Sequence, residues 1–131
     1  MNHGNLGGVA KERLAPCPQS KRNCICSFFS SHKKHYLPPI SLSAEKFPLI
    51  WSQLMKYMEA KSEARLKKKT QFYLHYEWSS PLLGFIDDVE FLWDSHQEVL
   101  HFRSASRSGY WDLGANGSRI RRILKNLSLS N

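Results

Sequence analysis

The sequence predicts a two-layer α+β domain: an antiparallel sheet of three to four strands, two main helices packed on one face, and an irregular N-terminal arm. Three observations predict it. Phe47, Ile50, Trp51, Leu54, Met55 and Met58 recur at spacings of three and four, which makes one apolar helix face. Three later runs alternate apolar and polar residues with period two, the mark of half-buried strands. Ile120, Ile123, Leu124 and Leu127 then form a second helical stripe.

In the first helix Pro48 fits only the first turn, where its missing N–H is not needed. The helix is therefore expected from about Ser43–Phe47 to Ala60. The basic run around Arg65, Lys67, Lys68 and Lys69 reads as a solvated edge strand or hairpin, because lysine discourages sheet-to-sheet pairing. In Gln71–Trp78 the residues Phe72, Leu74, Tyr76 and Trp78 share a face. In Phe85–Trp93, Asp87 joins Phe85, Val89, Phe91 and Trp93 on the apolar face. Asp94–Gln97 is a hairpin turn, and in Val99–Ser104 His101 and Arg103 are expected to face out. Short connections imply antiparallel pairing. Asp112 is the expected N-cap of the second helix, with Asn116 as the alternative.

The chain of 131 residues suits one domain, expected over residues 12–127, with 1–11 a flexible lead-in and 128–131 a fraying tail. Apolar residues make up 41%, enough for a core. The formal charge of +8 favours anionic partners such as phosphorylated ligands, nucleic acid or anionic surfaces. No run reaches the roughly 20 apolar residues of a membrane span. With a polar, glycine-rich N-terminus, the expected location is cytoplasmic. The odd count of 3 cysteines argues against a disulfide framework.

Three segments carry a family resemblance: Leu14-Ala15-Pro16-Cys17-Pro18 with Asn23-Cys24 and Ser27; Gly84 to Phe91; and Arg103 to Tyr110 with Asp112-Leu113-Gly114, Asn116 and Arg119. Together they resemble the family catalogued as domain of unknown function 1499, over about residues 12 to 127. The resemblance implies one coherent domain and no particular activity. It also implies a structural pairing of Cys17 with Cys24, as in relatives from oxidising compartments. Cys26 stands where relatives commonly have serine, and Lys21-Arg22 where they have proline.

The stretch from Arg103 to Asn116 mixes arginines, hydroxyls and glycines in a way that suits a shaped loop. Its candidate ligand-binding residues are Arg103, Ser104, Ser106, Arg107, Tyr110, Asp112 and Asn116, supported by Asp87, Asp88 and Glu90. Asp87 and Asp88 point to opposite faces of one strand and make no simple carboxylate pair. A buried carboxylate needs a partner. Arg103 and Arg107 are the expected partners, and an anionic ligand would use what they leave over. A metal set drawn from Asp87, Asp88, Glu90, Asp112 and His101 has no selective spacing, and the cysteines with His32 or His35 lack the usual zinc spacing. No metal or cofactor is expected. Ser104, Ser106 and Ser108 lack a nucleophile elbow, and His75 and His101 read as exposed strand residues. The expected function is a non-enzymatic module binding a small anionic ligand or a protein partner. A nucleic-acid module using Lys67–Lys69, Arg121, Arg122 and Lys125, and an enzyme with an Asp/Arg-centred site, are the alternatives.

Overall fold

A computed structural model describes residues 9–10, 13–18, 23–29, 33–80, 84–109 and 114–129. The elements in order are β1 (Val9–Ala10), β2 (Arg13–Leu14), β3 (Cys24–Cys26), a 3-10 turn (Lys33–His35), β4 (Ile40–Ser41), α1 (Phe47–Glu59), β5 (Ala64–Lys69), β6 (Tyr73–Ser79), β7 (Ile86–Asp94), β8 (Val99–Ser106) and α2 (Ala115–Lys125). The main sheet is antiparallel and has 6 strands, in the order β3-β8-β7-β6-β5, with β4 also on β8. The expected three to four strands understate it. The arm is the reason: β3 and β4 divide the outer edge of β8, Cys24–Cys26 against Arg103–Ala105 and Ile40–Ser41 against Val99–Leu100. Strands of two or three residues carry too few side chains to show a period, so the sequence reads them as irregular.

Helix α1 follows its apolar stripe. Ile50, Trp51, Leu54 and Met58 are buried, and Pro48 occupies the first turn. Each such side chain contributes about 1.5–3 kcal/mol on burial. Phe47 stacks on Trp93 at 4.1 Å between ring centroids, fastening the helix start to β7. Helix α2 buries Ile120 and Ile123 against the same sheet face. It begins under Gly114, whose φ of 80° is the left-handed region that glycine enters without strain. The expected cap Asp112 lies outside the described residues, and the alternative, Asn116, lies buried in the first turn instead. Beyond α2, Ser128 N–H donates to Gln53 Oε1 at 2.9 Å and Leu129 packs on the core.

The second face of the sheet is also covered. Leu14, Cys17, Cys24 and Cys26 pack on Tyr73, Leu92 and Ala105. The arm thus forms a partial third layer over β7 and β8. His101 and Arg103, expected to face out, lie beneath it with 6% and 0% of their surface exposed. Cys17 and Cys24 are joined by a disulfide, Cα atoms 5.6 Å apart, and Cys26 is the free, buried third cysteine. The odd cysteine count therefore misleads about disulfides here. Among the described residues, no helix is long and apolar enough to cross a membrane.

Candidate functional site

Three arginines meet four acids around β6, β7 and β8, and the register decides the partners. In the β7–β8 hairpin Glu90 lies directly opposite Arg103. Arg103 Nη1 donates to Glu90 Oε2 at 3.3 Å, with both side chains fully buried, and Nη2 meets the Pro16 carbonyl of the arm at 3.4 Å. The Tyr73 hydroxyl donates to Glu90 Oε1 at 2.6 Å. Burial and the Glu90 carboxylate raise the Tyr73 pKa, so the phenol stays protonated.

Arg107 grips Asp88 with a two-pronged contact: Nε to Oδ2 and Nη2 to Oδ1, each at 2.8 Å. The same Nη2 reaches Glu77 Oε2 at 2.6 Å. His75 Nε2 donates to Asp88 Oδ1 at 2.7 Å. Burial alone would push the Asp88 carboxyl up; the hydrogen bonds from Arg107 and His75 outweigh it, and the net shift is downward. Asp88 thus stays ionised. A catalytic acid at this place would require a carboxylate with its pKa raised.

Asp87 points to the helix face and is held by Arg119, a residue outside the candidate set drawn from the sequence. Arg119 Nη1, from α2, donates to Asp87 Oδ2 at 2.8 Å, to Asn116 Oδ1 at 2.8 Å and to Ser104 Oγ at 3.1 Å. Its guanidinium carbon sits 4.9 Å from the Trp78 ring centroid, a cation–π distance. Asn116 Nδ2 donates to the Asn23 carbonyl and to Ser106 Oγ, both at 3.1 Å. Asn23 Nδ2 in turn donates to the Gly109 carbonyl at 2.9 Å. These bonds stitch the arm, the end of β8 and the start of α2 together.

The described candidate residues therefore do not converge on one void. Arg103, Arg107, Asp88 and Glu90 lie on the arm face, while Ser104, Ser106, Asn116 and Asp87 lie on the helix face. Tyr110 and Asp112 lie outside the described residues. Arg107 does hold Asp88, but Arg103 holds Glu90, and Asp87 goes to Arg119. No group of three or more metal-ligating side chains occurs among the described residues. An open cleft of about 500 Å³ lies at the opposite end of the sheet, lined in part by Ser41, Ser43, Lys46, Gln97 and Glu98.

A further pair lies beneath the arm. Ser27 Oγ and His101 Nδ1 share a hydrogen bond of 2.7 Å, and the Phe28 ring stacks on the imidazole at 3.6 Å. Burial lowers the His101 pKa to about 4, so the ring is neutral. Ser27 Oγ also accepts the Phe102 N–H at 2.9 Å, which engages the hydroxyl structurally. No local pattern marks this pair, because its members are 74 positions apart.

These features define a small antiparallel α+β domain whose arginines pair with buried acids on one face of the sheet and with the half-buried Asp87 on the other. The chain belongs to the family described as protein of unknown function (DUF1499), whose model matches residues 13–127. Searches of curated proteins and of solved structures gave no match.

Proposed function

We propose that this domain is a non-enzymatic binding module whose anionic, polymeric partner docks on the open β5–β6 half of the arm face. The carrying observation is a bulge in β5. Pairing runs Arg65 to Glu77 and Leu66 to Tyr76, then jumps so that Lys68 meets His75, leaving Lys67 as the extra residue. Paired residues share a face, so Arg65 and Lys68 project with Glu77 and His75. Lys67 lies 4.0 Å from Glu77, on that same side. A regular strand would alternate these cations between faces; the bulge gathers three of them.

All three are exposed, and Arg107 adds a side chain 31% exposed at the inner border of the patch. The internal pairing strengthens the case. Three arginines engage four acids within the fold, so the excess positive charge falls on the remaining surface. Of the stretch Arg103–Asn116, Arg107 is the arginine with surface to offer a partner; Arg103 has none.

The test is fluorescence anisotropy with a labelled single-stranded oligonucleotide and, in parallel, a labelled polyglutamate peptide, across a salt series. Three phosphate contacts give a log–log salt slope of about −2 for a single strand. The triple substitution Arg65→Glu, Lys67→Glu and Lys68→Glu should abolish binding of either probe. Binding that persists in the triple variant, or no binding by the wild type, overturns the reading.

A further inference from the structure

We infer that Arg119, at the N-terminal end of α2, forms a binding site for a small oxyanion, a carboxylate or phosphate group, separate from the β5–β6 surface. A guanidinium has one edge made by Nε–H and Nη2–H that matches two oxygens of a carboxylate or phosphate. In Arg107 that edge is filled by Asp88. In Arg119 the three contacts to Asp87, Asn116 and Ser104 all use Nη1. Among the described residues its Nε is buried and has no hydrogen-bond partner. A buried donor without an acceptor costs about 1–3 kcal/mol, and such exceptions in folded proteins call for a specific explanation.

Arg119 is built to hold that edge in place. Its side chain is nine-tenths buried, with 10% exposed, and Asp87 beside it is 13% exposed, so the group sits at the rim of the sheet. The Trp78 ring supports one face of the guanidinium. Ser104 and Asn116, both buried, fix Nη1. Helical side chains lean toward the N-terminus of their helix. The bond to Asn116, three residues earlier, brings the guanidinium back to the first turn of α2. That turn carries no acidic residue and no side-chain cap under Gly114. Helix N-termini favour anions through their N–H groups and dipole. Asp87 already balances the charge of Arg119. Recognition therefore rests on the two-pronged hydrogen-bond geometry and the helix end, and it suits a small anion over an extended one.

The test titrates the full chain with inorganic phosphate and, separately, with acetate, at matched ionic strength, following arginine Nε–H resonances by NMR and, to compare affinities between variants, the backbone amide resonances of residues 115–118 in the first turn of α2. Arg119→Lys keeps the charge beside Asp87 and removes the fork, so it identifies the Arg119 signal by its loss. The expected result is a saturable shift of that signal with at least one of the two anions, and affinity at least about tenfold weaker in Arg119→Lys. The anion that saturates identifies the chemical class. Lys67→Glu/Lys68→Glu should leave this binding unchanged, which separates it from the β5–β6 surface. The inference is overturned if the Arg119 signal does not move with either anion, or if Arg119→Lys binds as tightly as the wild type.

Discussion

Replacing Arg103 by methionine isolates the most buried ionic contact in the domain. Methionine keeps most of the volume and removes the charge. Glu90, with none of its surface exposed, would keep the Tyr73 hydroxyl and lose its guanidinium partner. Breaking one side of a buried ion pair costs about 3–5 kcal/mol, because the remaining charge stays desolvated. Against a total stability of about 5–15 kcal/mol for a domain, that is a loss urea denaturation detects easily, with tryptophan fluorescence as the probe. The same physics predicts recovery. Arg103→Met combined with Glu90→Leu and Tyr73→Phe removes every charge and hydroxyl of the trio, and should return to within about 2 kcal/mol of the wild type. The reasoning fails if Arg103→Met costs less than about 1 kcal/mol, or if the triple variant is less stable than the single one.

Acid should destabilise the fold in two steps. His101 is neutral when folded, with its pKa lowered from 6.5 to about 4, so the unfolded chain takes up its proton first. The stability it contributes is complete above pH 6.5 and is lost as pH falls toward 4, by up to about 1.4 kcal/mol per pH unit. Asp88, lowered below 3.8, loses its contribution at still lower pH. Urea midpoints for His101→Asn should show a flatter limb between pH 6.5 and 4; an unchanged limb rejects this account. Cys17 and Cys24 are 7 positions apart, and closing so small a loop stabilises by about 2.5 kcal/mol in the chain-entropy treatment. Dithiothreitol, or Cys17→Ala/Cys24→Ala, should lower the urea-measured stability by about that amount, with equality of the reduced and oxidised forms as the contrary result.

The central hairpins and both helices were legible because each has a long, unbroken period. α1 and β6 to β8 run for 7 or more residues and show their faces directly. The ion-pair partners were not legible. In a hairpin, moving the turn by one residue moves each cross-strand partner by two. A turn centred on Asp94–Gln97 would set Arg103 opposite Asp88; the real turn lies one residue later and sets it opposite Glu90. Arg119 was visible only as part of the family pattern. Its partner Asp87 lies 32 positions earlier in the chain, and no local spacing links a helix residue to a strand residue at that distance.

Local periodicity by itself determined that this chain is α+β, where its two helices run, and that β5 is a charged edge, since each depends on near neighbours in sequence. Tertiary structure alone decided that the arm supplies two strands and covers the second face. It also decided that His101 and Arg103 are interior and which arginine holds which acid. The physical reason is that a period-two strand reports only that its faces differ. It cannot report that a distant segment will bury the polar one, and a buried charge takes whichever counter-charge the register brings within reach.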